Sequence, residues 1–334
     1  MVTALTIVLF MGHQLVFQLE TEFKNVDLTR PQYIDLTRDR IYILDVTLRQ
    51  VHFWDRATGN HGGHFGREGE GPGEFTLHKG AGEVMCFKNK IMVLDESAAR
   101  VHYFDADHKY LRTQPTPGYG RYRFWRTDEY LIAHRVSTSR GVQEVLIMDE
   151  NLKVLEVVAE MPYKVHEWIN EERYFFRPFA NRYVAAGNQT HFFLAETHDN
   201  YVKVFKGNKA VRQFPISVVR KDLDPKRLDA LLTNYGHRSN IKLEIDPKKG
   251  PYLSTIIVTG PYIIPVTINS SSGHVTGQAY SMEGVLKARV DIVLGEMVFF
   301  GGFDGRLLAM TYDEYDDFQL KLYQPVLKLE DQHP

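Results

Sequence analysis

Between Arg40 and Asp55 the chain reads RIYILDVTLRQVHFWD, two β-rich runs around a short polar turn, which predicts strand, turn and strand. The first run, Ile41 to Leu44, is apolar at every position. That pattern suits a strand sandwiched between neighbouring sheets, where neither side meets water. Fifty residues on, Lys90 to Asp105 reads KIMVLDESAARVHYFD, and the segments align without a shift: Ile41 with Ile91, Leu44 with Leu94, Asp45 with Asp95, Val51 with Val101, His52 with His102, Asp55 with Asp105. Self-similarity at a period of roughly 40 to 50 residues, with several strands per period, is the signature of propeller blades.

Weaker copies of the same strand pair follow: Tyr130 to Arg135 with Val145 to Asp149, Phe192 to Glu196 with Tyr201 to Phe205, Ile263 to Thr267 with Val275 to Tyr280, and Arg306 to Tyr312 with Phe318 to Tyr323. Six pairs, each with room for an inner and an outer strand, predict an all-β, six-bladed propeller of four-stranded antiparallel blades. Two stretches interrupt the rhythm. Met161 to Arg182 is a long aromatic and basic insertion. Within Asp222 to Gly250, Asp224 and Pro225 form an N-cap and first turn, Leu228, Leu231 and Leu232 recur at helical spacing, and Gly236 can stop the helix, so one short inserted helix is expected. No low-complexity linker divides the chain, so residues 21–334 read as a single propeller domain. Residues 1–20 read either as an atypical signal segment or as a closing strand, with Leu15 to Leu19 completing the sixth blade.

Gly66 to Phe75, GREGEGPGEF, holds four glycines and a proline in ten residues and can be neither helix nor central strand. A phosphate cradle would need free backbone donors at a helix start, whereas Glu68, Glu70 and Glu74 repel phosphate and a strand follows. The stretch reads as a crossover between blades with Phe75 as an apolar plug; a cation site on Glu68 and Glu70 is the alternative.

The pattern Ile41, Tyr42, Ile43, Leu44, Asp45, then Val51, Phe53, Trp54, Asp55, then Phe65, Gly66, Gly69, Gly71, Pro72, Gly73, Glu74 and Phe75 resembles the bacterial six-bladed β-propellers related to NHL repeats, the TolB-like and NHL-like group. The resemblance covers residues 28 to 105, and the second blade departs from it by ending in PTPGYG, Pro115 to Gly120. It implies an exported binding or scaffolding module. The wider architecture also includes lactonases and lyases, and fold alone does not choose among them.

Composition narrows the partners. A net charge of -2 with pI near 6.7 gives no electrostatic footprint for nucleic acid, and the apolar run before Met11 is too short to span a bilayer. The single cysteine, Cys86, excludes an intramolecular disulfide. A monomer without a cofactor is expected, located in the periplasm or outside the cell, with the cytoplasm as the alternative. No HExxH, G-x-S-x-G or S-x-x-K element announces catalysis. Asp45, Asp95 and Glu196 end equivalent strands, either as turn-making carboxylates or as a ring holding calcium in the channel of a lactonase-like hydrolase or lyase. The candidate ligand-binding surface is arginine-rich and aromatic: Arg121, Arg123, Trp125 and Arg126 before the third pair, and Arg173, Tyr174 and Arg177 in the long insertion. Arginine beside flat rings can clamp carboxylates and stack sugars or peptides. The competing reading is a strand whose alternate residues pack between blades.

Overall fold

The computed structural model describes residues 13–24, 27–77, 82–137, 139–162, 183–197, 200–217, 253–269, 274–293, 297–303, 306–312 and 318–329. They form six antiparallel four-stranded blades, five of them meanders from an inner to an outer strand and the sixth closed by the first strand of the chain, which also bridges to the fifth blade. The first holds β2 (Pro31–Leu36), β3 (Arg40–Asp45), β4 (Gln50–Asp55) and β5 (His61–Phe65). The second holds β6 (Gly82–Phe87), β7 (Lys90–Asp95), β8 (Arg100–Phe104) and β9 (Tyr110–Pro115), the third β10 (Arg121–Arg126), β11 (Leu131–Ser137), β12 (Val142–Met148) and β13 (Val154–Pro162). The fourth holds β14 (Tyr183–Gly187), β15 (His191–Glu196), β16 (Tyr201–Lys206) and β17 (Lys209–Pro215), the fifth β18 (Thr255–Thr259), β19 (Tyr262–Asn269), β20 (His274–Ser281) and β21 (Leu286–Val293). In the sixth, β22 (Met297–Phe303), β23 (Arg306–Tyr312) and β24 (Phe318–Leu329) are completed by β1 (His13–Phe23). β1 pairs antiparallel with β24 from His13 opposite Leu329 to Phe23 opposite Leu320, so the two ends of the chain share a blade.

Each strand pair read from the sequence is the second and third strand of a blade. The reason lies in burial. β3 and β7 are buried at every position after the first, because both their faces meet a neighbouring blade, whereas the outer β13 alternates half-buried and exposed residues along most of its length. Each blade interface has its own apolar core: Tyr42, Leu44 and Phe65 meet Val84, Ile91 and Phe104 between the first two blades, and Ile41, Ile43 and Trp54 meet Leu308, Met310 and Leu322 between the first and sixth. At roughly 1.5–3 kcal/mol per buried large apolar side chain, these cores supply the main drive to close the ring.

The Gly66 to Phe75 stretch links the outer strand of the first blade to the inner strand of the second, and its Phe75 is fully buried against Phe104 and His102. Gly66 has φ +81°, and a Cβ there would lie 2.2 Å from the Phe75 ring. Glu74 turns back onto its own loop, accepting from the Gly71 amide at 2.9 Å and from Arg67 Nε at 2.8 Å, and Glu68 pairs with Arg49. The described residues contain a single 3-10 turn, Glu96–Ala98, after β7. The helix expected over 224–236 lies outside the described residues. No helix among the described residues is long and apolar enough to cross a membrane.

Candidate functional site

A propeller's inner strands each have one edge with no strand beside it, so their backbone groups need other partners or water. Here β2, β6, β10, β14, β18 and β22 ring the axis, each touching the next. All start on one face, where the connectors from the preceding blades arrive, called the connector face below. Carboxylates supply several of the missing acceptors. Asp35 on β2 accepts from the Cys86 amide of β6 at 2.7 Å, Glu83 on β6 accepts from the Phe124 amide of β10 at 3.0 Å, and Glu96, in the turn after β7, accepts from the Tyr122 amide at 3.0 Å. An acid on one blade thus caps the inner strand of the next.

Near the far end of β10, Arg126 reaches across to the first blade, pairing with Asp35 and donating from Nη2 to the Leu36 carbonyl at 2.8 Å. This crossing ties the inner strand of the third blade to that of the first. Burial pushes the Asp35 carboxyl up and the Arg126 charge opposes that push, while Arg126 itself is held cationic by Asp35. On the adjoining side β14 lies so close to β10 that a Cβ on Gly187 would sit 2.0 Å from the Arg126 carbonyl oxygen.

Toward the connector face the arrangement differs. β10 alternates: Tyr122 and Phe124 are buried in the core with the second blade, whereas Arg121 and Arg123 are exposed. Trp125 is half-buried against the core between the third and fourth blades. The Arg123 guanidinium lies over the Tyr33 ring of β2, 4.8 Å from its centroid. Arg121 and Arg123 both act on Tyr33 and on Glu96 electrostatically, so these groups form one cluster. Among the described residues no carboxylate forms an ion pair with either arginine. Burial raises the Glu83 carboxyl to about 8 against the opposing pull of Arg123, raises Glu96, and raises the Tyr33 phenol to about 12. Two exposed arginines without a carboxylate partner among the described residues therefore lie close to a buried acid whose pKa is raised and to an aromatic face.

The structure thus places Arg121, Arg123, Trp125 and Arg126 on one innermost strand, with Arg126 engaged by Asp35 and the Leu36 carbonyl. Arg173, Tyr174 and Arg177 lie outside the described residues, whose flanking positions Pro162 and Tyr183 end β13 and begin β14 on the connector face. Sequence reasoning missed Tyr33, Asp35, Glu83 and Glu96. The available signal was an acid inside an apolar run, in YIDL and in GEVMCF. Two of the three carboxylates that drew attention instead are pins: Asp45 accepts from the amides of Thr29, Arg30, Thr47 and Leu48, and Asp95 from those of Thr76, Leu77 and Ala98. His52 and His102 are buried, and burial lowers both to about 4. Among the described residues no group of three or more His, Cys, Asp or Glu is arranged to hold a metal ion.

No curated protein matches this chain. Among solved structures it is similar to a Bacteroides fragilis protein described as exported, at TM-score 0.58 and 14% identity over 96% of each chain. It is also similar to a Bacteroides vulgatus member of the DUF4221 family, at TM-score 0.58 and 8% identity over 95% of this chain and 99% of that one. At such identities the likenesses speak to fold alone. The model of the DUF5128 family, described as a 6-bladed beta-propeller, matches residues 15–186. With more than half of its length matched and six blades in its structure, the chain belongs to the DUF5128 family of six-bladed β-propellers.

Proposed function

We propose that this propeller is a binding module that takes an anionic small molecule at the connector-face mouth of its channel. Arg121 and Arg123 hold the anion, Tyr33 offers a flat surface, Trp125 flanks the site, and Arg126 ties their strand to the first blade. The observation that supports this reading is the pair of exposed arginines on alternate residues of an innermost strand, lacking carboxylate partners among the described residues. A guanidinium fork matches a carboxylate or phosphate in two parallel hydrogen bonds, and mobile loops around a rigid scaffold are where ligands are usually read. Arg173, Tyr174 and Arg177 belong to the proposal through their insertion between β13 and β14.

A thermal-shift screen with small organic and inorganic anions tests the reading. At least one anion is expected to raise the Tm of the wild type and not that of R121A/R123A; an equal rise in both overturns the site. The alternative, a hydrolase or lyase with calcium in the channel, would draw oxygen ligands from Asp45, Asp95 and Glu196. Asp45 and Asp95 already accept several backbone amides each, which favours binding over catalysis. Stoichiometric calcium in elemental analysis of the purified protein would reverse that preference. The exported location and the kinship with NHL repeats also stay proposals. The first is supported by the fold likeness to a protein described as exported and is tested by cell fractionation; the second rests on the repeat pattern of residues 28 to 105.

A further inference from the structure

On the face opposite the connectors, the turns that join the third strand to the outer strand are built alike in the second and third blades. The Asp105 carbonyl accepts from the His108 amide and the Asp149 carbonyl from the Leu152 amide, both at 3.1 Å. The Asp105 carboxylate takes the amides of Asp107 and Lys109, and that of Asp149 takes those of Asn151 and Lys153. His108 and Leu152 both stand in the left-handed region, at φ 65° and 58°, a backbone that suits neither residue type. Leu152 fills the seam with the preceding blade, buried in one core with Phe87, Met92 and Tyr103. In the second blade an imidazole takes that plug position. We propose that the turn from Asp105 to Lys109 is an acid-released latch on the first blade, held shut by the neutral His108 ring and opened when that ring takes a proton.

The contacts of the ring carry this. It lies parallel to Phe65 of β5 with centroids 4.8 Å apart, 4.1 Å from Phe53 of β4 and edge-on to Tyr42 of β3 at 5.8 Å. Its Nε2 is 3.1 Å from Arg40 Nη1 and 3.4 Å from the Tyr42 hydroxyl, and the same Nη1 donates to the Ala106 carbonyl at 3.0 Å. A guanidinium only donates and keeps its proton, so Nε2 is the nitrogen that carries the lone pair. A proton there would set an N–H against Nη1 with no acceptor between them and bring two cations into contact. An aromatic face can host a cation, but that of Phe53 already carries Arg40, 5.2 Å from its centroid. Burial and Arg40 oppose the charge on His108, while Asp105 and Asp107 of its own turn favour it. Asp39 and Asp55 reach the seam only through Tyr42 and Arg40. Because the Asp105 carboxylate is committed to two amides, the imidazolium is better served by water than by the seam. Acid therefore releases the turn and uncovers the rings of Phe53 and Phe65.

Hydrogen exchange of the full chain at pH 7.5 and pH 5.0, expressed as protection relative to the free peptide rate, tests the inference in two turns at once. At pH 5.0 His52 and His102, lowered to about 4, are still neutral in the fold, so they open nothing locally. In the wild type, residues 104–110 are expected to lose about tenfold in protection at pH 5.0, while residues 149–154, whose plug is Leu152, keep theirs. H108L gives the second blade the plug of the third and is expected to hold its protection at both pH values. R40Q leaves a neutral amide that can donate to Nε2 or accept from its protonated form, so its loss at pH 5.0 is expected to be smaller than that of the wild type. Melting temperatures at pH 7.5 check that both variants fold, and the wild-type profile stands as a test without them. Equal protection of residues 104–110 at the two pH values overturns the latch, as does a loss shared with residues 149–154. A loss kept in full by H108L assigns the release to another group and overturns it too.

Discussion

Glu83 shows how one side chain can join two blades and still cost stability at neutral pH. Its carboxyl caps the Phe124 amide, yet burial holds it at about 8, well above the usual carboxylate range. A group whose folded pKa is raised contributes its full stability below the unfolded value near 4.5 and loses it as pH rises toward 8. E83Q is therefore expected to unfold at higher urea than the wild type at pH 7.5, and the difference is expected to vanish near pH 4.5. His52 and His102 act in the other direction. Both are lowered to about 4 by burial, so the unfolded chain binds more protons between about pH 6.5 and 4, and the stability they carry at neutral pH is lost across that window. His102 Nδ1 bonds Thr113 Oγ1 at 3.0 Å and its Nε2 is buried without a partner. H102F, which cannot titrate, is expected to flatten the fall in Tm between pH 6.5 and 4.5; an unchanged slope would contradict this assignment.

At the scale of elements, the repeat was legible because each blade needs the same local solution. A strand buried on both faces must be apolar throughout, and the aspartate that ends it must satisfy amides of the incoming connector and of the next turn. Asp45 and Asp95 do this in the same way, and both are fully buried. D95A removes a charged acceptor from several amides at once and is expected to cost about 3–5 kcal/mol in chemical denaturation. The inner strands were less legible, since their sequences do not repeat: YIDL and GEVMCF carry their acids at different offsets from the strand that follows. Which acid meets which amide depends on how neighbouring blades are rotated about the axis, and no pattern within one blade records that. Arginines on β10 stood out in the sequence through composition, but only the fold separates Arg126, locked to Asp35, from Arg121 and Arg123.

On the scale of the whole molecule, the ring is held by apolar interfaces and by its closing strand. β1 joins β24, Leu15 is buried against Ile264, Val290 and Leu307, and the chain just after β1 is tied to the first blade by Trp54 Nε1 donating to the Lys24 carbonyl at 2.9 Å. L15A is expected to lower the free energy of unfolding by about 2–5 kcal/mol, whereas V211A, on the exposed outer strand β17, is expected to stay within about 0.5 kcal/mol. The closed ring in turn brings three blades together, so that Tyr33, Glu83, Glu96, Arg121 and Arg123, spread over about ninety residues of sequence, form one cluster, the core of the proposed ligand site. The most direct measurement of that claim is a crystal structure of the protein grown with the tightest-binding anion from the screen. The account expects the anion at the connector-face mouth, with its oxygens within hydrogen-bond distance of the Arg121 and Arg123 guanidiniums and its body against Tyr33. An anion seated on the outer strands, or a mouth filled only with solvent at saturating ligand, would contradict it.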